Sequence, residues 1–282
     1  MDSSHEFPDE PIVERSKRSP ITAGWYIRDP VKRSENTINA RQCADLICGA
    51  QRIVALTGAG ISTAAGIPDF RGPQGLYVTR QYDPDTVFDI VAFRSNPGPF
   101  YEFTRDFLGV IHTIEPTFTH RFLADLEGAG TLTAVVTQNI DSLHQKAGSK
   151  HVISVHGDYW TSHCQSCAQE FDLARMEDLV REVEVPHCEC GGVIKPDVVF
   201  FGEAVHEIEN AAAIVAASDL LLVLGSTLVI YPAAFLPEQA GGDVVVVNKG
   251  EVGLTPAPNR YFVDAELDAF FSEVADDLAT AQ

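Results

Sequence analysis

The chain lacks any apolar run approaching the roughly 18 residues that a membrane-spanning helix needs, so a membrane protein is not expected. It is also short of positive charge. Twenty Lys and Arg stand against 40 Asp and Glu, a net charge of −20. That deficit argues against nonspecific attraction to nucleic acid or anionic lipid and reads as a solvated acidic surface, to which a basic protein tail would still be drawn. The opening residues 1–14 are polar and acidic, unlike an export signal, and the expected location is cytoplasmic. There is no internal repeat. Cysteine is sparse, six in 282 residues, and in a chain without an export signal disulfides are disfavoured.

What is present begins after a proline-rich, aperiodic stretch of about 35 residues that reads as a flexible tail. Apolar runs then predict strands at Arg52–Thr57, Leu132–Thr137, His151–Val155, Asp197–Phe201, Leu220–Leu224 and Val244–Val247. Several are unbroken Val/Leu/Ile runs, as in parallel strands covered on both faces. Helical patterns lie between and around them, at Thr37–Gly49, Phe118–Glu127, Glu207–Ala217, Ala233–Ala240 and Glu266–Leu278. The alternation predicts an α/β fold with a doubly wound parallel sheet. The aromatics between Gly75 and Ile114 read mostly as core of a smaller domain. Cys43 and Cys48, in the first helix, read as buried apolar side chains.

In such sheets ligands bind beyond the carboxyl ends of the strands. Those ends carry Gly58-Ala59-Gly60, Gln138-Asn139-Ile140-Asp141, His156-Gly157, Phe201-Gly202-Glu203, Gly225-Ser226-Thr227 and Asn248-Lys249-Gly250. Any one of these fits an ordinary polar turn; six together point to a binding cleft. The glycine loop Gly58-Ala59-Gly60-Ile61-Ser62 suits close approach of backbone to phosphate. Its spacing, Gly-x-Gly-x5-Gly, departs from the dehydrogenase pattern, and Asp69-Phe70-Arg71 follows where a crossover helix would continue. A dinucleotide held for something other than hydride transfer is the expectation.

Cys164-x2-Cys167 and Cys188-x-Cys190, separated by 20 residues, supply four thiolates for a tetrahedral zinc ion. Four sulfurs fill the coordination sphere, so the predicted site is structural.

In order and spacing, Gly58-Ala59-Gly60-Ile61-Ser62, Ile67-Pro68-Asp69-Phe70-Arg71, Thr137-Gln138-Asn139-Ile140-Asp141, His156-Gly157, the four cysteines, Phe200-Phe201-Gly202-Glu203 and Gly225-Ser226-Thr227-Leu228 resemble the sirtuin family over about residues 36–280. Two departures stand out: Gly225-Ser226-Thr227 where the family usually has Gly-Thr-Ser, and the Cys-x-Cys spacing of the second knuckle.

The resemblance implies a Rossmann-like NAD-binding domain at 36–76, 115–156 and 197–282, a small helical and zinc-binding domain at 77–114 and 157–196, and a tail at 1–35. It implies NAD-dependent deacetylation of lysine in acetylated proteins, in which the amide oxygen attacks the anomeric carbon of the nicotinamide ribose. Nicotinamide and an O-acetyl-ADP-ribose are the products. An ADP-ribosyltransferase on the same scaffold would break the same bond.

By the same resemblance His156 is the general base, with Asn139 and Asp141 orienting the nicotinamide ribose and carboxamide and Gln138 bonding ribose hydroxyls. Phe70 would shield the ribose and Arg71 meet the pyrophosphate. The remaining cofactor contacts would be Gly58, Ala59, Gly60, Ser62, Thr63, Asp69, Ile140, Gly225, Ser226, Thr227, Asn248, Lys249, Asp264 and Ala265. Val199, Phe201, Gly202 and Glu203 would receive an extended peptide by strand addition. Sirtuins that remove succinyl groups resemble one another in a Tyr-x2-Arg pair; here Tyr101 and Arg105 are four apart, with Glu102 and Asp106 beside them.

Overall fold

The computed structural model describes residues 36–67 and 82–280. Strands β1 (Ile53–Thr57), β2 (Leu132–Thr137) and β3 (Val152–Ser154) come first in the chain, then the short β4 (Thr161–Cys164), β5 (Glu170–Asp172) and β6 (Ile194–Pro196). The last three are β7 (Leu220–Leu224), β8 (Asp243–Val247) and β9 (Arg260–Val263). One parallel sheet has the order β3-β2-β1-β7-β8-β9; a second, antiparallel sheet has the order β5-β4-β6.

The unbroken apolar runs follow from burial on both faces. Val54, Leu56, Leu221, Val223, Val244 and Val246 point into one core, and Ile53, Ala55, Leu220, Leu222, Val245 and Val247 into the other. With period 2, alternate residues of one strand feed opposite cores, so neither face tolerates a polar residue. Helices α1 (Ala40–Gly49), α5 (Phe118–Gly128) and α9 (Leu267–Thr280) cover one face, and α8 (Ile208–Ala217) with the 3-10 segment Ala233–Gln239 covers the other. Helix α1 starts three residues later than the apolar period suggests, because Asn39 and Gln42 form a reciprocal capping box. Between these, α2 (Pro84–Val87), α3 (Ile90–Ser95), α4 (Gly98–Ile111), α6 (Leu143–Ala147) and α7 (Leu173–Glu182) complete the helices named here.

A third core gathers Phe88, Phe93, Phe100, Tyr101, Phe103, Tyr159 and Phe200 with Met176, Val180, Cys164 and Cys188. Edge-to-face pairs such as Phe93–Phe100, 5.5 Å between centroids, contribute about 0.5–1.5 kcal/mol beyond area burial.

Three expectations need correction. Asp197–Phe201 is not a strand of the large sheet. Asp197 N–H donates to Thr161 O, Val199 N–H to His156 O and Phe201 N–H to Phe88 O, while Val198 and Phe200 sink into the third core. An apolar run reads alike whether it is buried in a sheet or against an aromatic cluster. The sixth strand is instead β9, an edge strand too short and mixed in composition to stand out. Ala233–Gln239 is a 3-10 segment, since Pro237 within it lacks the N–H an α-helix needs. Finally, Cys43 is buried but Cys48 is exposed. Five positions along an α-helix rotate about 140° around its axis, so the two cannot share a face. Burial pushes the Cys43 thiol up to about 12.

Candidate active site

The polar segments beyond the strands continue the ladder laterally. Gln138 N–H donates to Thr57 O, Gly58 N–H to Leu224 O, Gly225 N–H to Val247 O and Asn248 N–H to Val263 O, at 2.9–3.1 Å. Four loops are thereby locked in register along one edge. Asp264 and Ala265 follow β9 at that edge; Asp264 Oδ1 accepts from Gly250 N–H at 3.4 Å, and Lys249 pairs with Glu266 at 3.5 Å.

The glycines of the first loop serve mainly to bring backbones together. Gly60 N–H donates to Gly225 O at 2.9 Å, and a Cβ on Gly60 would stand 2.7 Å from Gly225 Cα. Gly225 itself has φ of 63°, and any side chain there would strike Ile61 N at 2.4 Å. The amides of Gly58 and Gly60 donate to Leu224 O and Gly225 O, so close backbone packing gives both glycines a structural role of their own. The turn Ala59–Ala65 that follows is 3-10, closed by Gly66 in the left-handed region. Thr63 Oγ1 donates to Gly60 O.

Ser62, Asn139 and Asp141 form one buried knot. Ser62 Oγ donates to Asp141 Oδ2 at 2.6 Å, while Asn139 Nδ2 donates to both Ser62 Oγ (3.1 Å) and Asp141 Oδ2 (3.2 Å). Leu143 N–H caps Asp141 Oδ1 at 2.9 Å. Burial raises the Asp141 carboxyl above its ordinary range, opposed by these donors. Three donors aimed at one carboxyl match its ionised form. Gln138 Nε2 donates to Ser226 Oγ at 3.0 Å, tying β2 to β7. Ile140 packs toward the third core, so the turn spans both parts of the molecule.

His156 lies two residues past β3. Its Nδ1–H donates to the main-chain oxygen of Gln138 at 3.1 Å. A carbonyl only accepts, which puts the ring proton on Nδ1 and leaves Nε2 a lone pair. Burial pulls the imidazole down to about 4, so the ring is neutral at physiological pH. Gly157, with φ of 71°, permits the close approach that follows: a Cβ there would overlap Asp197 O at 1.8 Å. The main-chain oxygen of His156 then holds Val199 N–H at 2.8 Å. The residues expected to carry chemistry and those expected to receive peptide are thus joined directly.

Along that segment Phe201 is paired inward, donating to Phe88 O at 2.7 Å and accepting from Ile90 N–H at 3.1 Å. Gly202 follows, and Glu203 Oε2 accepts from Phe200 N–H and from Lys195 Nζ, both at 2.9 Å. Lys195, 5% exposed, also donates to Val198 O at 2.7 Å. Sequence reasoning passed over Lys195, whose only signal is a charge beside an apolar run. Asp69, Phe70 and Arg71 lie outside the described residues.

Sγ atoms of Cys164 and Cys190 are 3.4 Å apart and those of Cys167 and Cys188 3.7 Å, with all four within 4.8 Å of one another. A disulfide needs about 2.05 Å. A tetrahedron of Zn–S bonds near 2.3 Å has edges of about 3.8 Å, so the cluster fits zinc.

A family model described as "Sir2 family" matches residues 58–232. The chain belongs to the Sir2 family. An NAD-dependent protein deacetylase of Sulfolobus acidocaldarius is 44% identical over 216 residues, 75% of this chain and 84% of that protein. A solved Sir2 complex with a p53 peptide and NAD+ superposes with a TM-score of 0.78 at 36% identity, covering 86% of this chain and all of that one. A second, of a Sir2 variant with deacetylated p53 peptide and 3′-O-acetyl ADP ribose, gives 0.79 at 37% identity over 85% and 98% of the two chains. Among the described residues no helix is long and apolar enough to cross a membrane.

His120 is fully buried and also held down to about 4 by burial. A buried imidazole with a lowered value costs nothing above its ordinary 6.5 and opposes folding increasingly as pH falls toward 4. For His120 alone about 2 kcal/mol is expected to go between pH 7.5 and 5. Asp141, raised by burial, works in the opposite sense. Urea denaturation of wild type and His120→Gln at both pH values isolates the histidine share. Equal pH slopes in the two proteins would show that His120 is not held neutral.

Proposed function

We propose that this chain removes acetyl groups from lysine side chains of proteins, with NAD as co-substrate, yielding nicotinamide and an O-acetyl-ADP-ribose. The observation that carries this reading is His156, whose Nδ1–H is fixed on the Gln138 carbonyl beside the Ser62–Asn139–Asp141 knot. Bound NAD supplies an anomeric carbon from which nicotinamide can leave. The chain's own residues then bind, orient and move protons. His156 Nε2, which carries the lone pair of a fixed ring, takes a proton from a ribose hydroxyl. Asn139 and Asp141 orient the nicotinamide ribose and carboxamide, held in place by Ser62.

Gln138 Oε1 and the hydroxyl proton of Ser226 are left to the ribose and adenosine, after the bond between these two side chains. Asn248, Lys249, Asp264 and Ala265 line the adenosine end, with Thr227 nearby. Phe70 and Arg71 complete the site as ribose shield and pyrophosphate contact. Peptide pairing falls on the main chain of Gly202 and the carbonyl of Val199, since the main chain of Phe201 and the Val199 N–H are taken. Cys164, Cys167, Cys188 and Cys190 hold a structural zinc.

The large sheet and its two cores form the NAD-binding domain, and the third core with the small sheet forms the second domain, with the cleft between. Four cysteines serving as metal ligands and not as disulfides suit a reducing, cytoplasmic compartment. The acidic net charge supports protein partners over nucleic acid or membrane.

Incubation of the purified protein with NAD and an acetyl-lysine peptide tests the reading. Nicotinamide release with a peptide lighter by one acetyl group is expected; a product heavier by ADP-ribose would make the chain a transferase to protein.

Acyl preference follows from the small domain. Tyr101 is 0% exposed and its hydroxyl donates to Ile194 O, while Arg105 Nη1 donates to Glu184 O at 3.0 Å. Neither is placed to receive a distal carboxylate. Acetyl and propionyl lysine should therefore be processed with higher kcat/KM than succinyl lysine on one peptide, and faster succinyl removal would overturn this.

A further inference from the structure

His120 and His144 take no part in the chemistry assigned above, yet both are enclosed, at 0% and 1% exposure, with ring centroids 4.7 Å apart. Their hydrogen bonds define their tautomers. His120 Nδ1 accepts from Thr117 N–H at 3.2 Å within the cap of α5, so its proton is on Nε2. His144 Nε2 lies 2.8 Å from Thr57 Oγ1, and that hydroxyl donates to Thr137 Oγ1 at 2.9 Å. His144 therefore donates through Nε2–H and keeps a bare Nδ1.

The result is one donor, His120 Nε2–H, and one acceptor, His144 Nδ1. Both are buried and neither has a partner among the described residues. A buried polar atom left alone is costly. Here two of opposite sense sit in neighbouring rings, and the other His144 tautomer would set donor against donor. Beyond Thr57 the chain continues, because Thr137 Oγ1 also accepts from Asn139 N–H at 3.0 Å. Burial lowers both imidazoles below the ordinary histidine range, in keeping with neutral rings.

We propose that a small rotation of the two rings brings His120 Nε2–H onto His144 Nδ1, closing a buried chain from the α5 cap through Thr57 and Thr137 to the main chain of Asn139. Both are positioning residues. They hold the Asn139 turn from behind and so preorganise the Ser62–Asn139–Asp141 knot that, on the functional reading above, orients the nicotinamide ribose.

The test has two arms on the full chain. In ¹⁵N-histidine spectra of the wild type, both rings are expected as neutral Nε2–H tautomers; an Nδ1–H tautomer or an imidazolium for His144 at neutral pH overturns the pairing. In kinetics, His144→Phe breaks the chain and His144→Gln keeps an N–H for Thr57. The Phe variant is expected to lose roughly 10–100-fold in kcat/KM for NAD, the scale of a small misplacement at a reacting centre, with the peptide KM nearly unchanged. The Gln variant should recover most of that loss. Equal losses in both variants, or none in either, overturn the positioning role. A wild type that does not deacetylate at all would overturn the functional reading instead, and the tautomers would still decide the pairing.

Discussion

His156→Ala is expected to lower deacetylation by roughly 10²–10⁴-fold, the usual worth of a positioned general base. NAD binding and folding should persist. The neutral hydrogen bond from the side chain to the Gln138 carbonyl is worth about 1 kcal/mol of stability. The contact that ties this turn to the peptide-receiving segment, Val199 N–H to His156 O, is main-chain and survives the substitution. The loss should fall on turnover, since the ring acts after the cofactor docks. Single-turnover assays with acetyl-peptide, alongside calorimetric NAD binding, separate the two. An alanine variant deacetylating near the wild-type rate would remove His156 from the role of base.

Alanine at Cys164, Cys167, Cys188 or Cys190 should abolish activity by a different route, through loss of the small domain. Cys164 and Cys188 are buried in the third core beside Met176, Val180 and Ile194, and the small sheet has only three short strands. Such a segment has little apolar area of its own, and apparent zinc binding energies of about 10–16 kcal/mol in structural sites substitute for it. Each variant should lose cooperative unfolding of the small domain and lose zinc, while the wild type carries one zinc per chain by elemental analysis. Well under one zinc per folded, active wild-type chain would contradict the assignment.

These two losses originate in parts of the chain that differed in legibility. The strands β1, β7 and β8 stood out because each is buried on both faces, which leaves continuous Val, Leu and Ile in the sequence. The cysteine pairs stood out because metal ligation needs particular side chains at short spacing, a requirement written locally. The motifs at the strand ends carried the Sir2 resemblance for the same reason.

What the linear pattern left open was long-range. Whether Asp197–Phe201 joined the large sheet depended on which neighbours its backbone met, and it met Thr161, His156 and Phe88 instead. Arg260–Val263 became a strand because β8 offered a free edge. The loop glycines 58 and 60 read as phosphate contacts, and only the fold showed that Gly60 and Gly225 also pack backbone on backbone across 165 positions of sequence. The tautomer of His156 and the burial of His120 against His144 were invisible for the same cause. Residue type and local spacing are properties of the chain itself, so the sequence by itself determined the strands buried on both faces, the ligand set and the family. Burial, pairing partner and proton position depend on groups brought together only when distant segments close on one another, and those the tertiary structure alone decided.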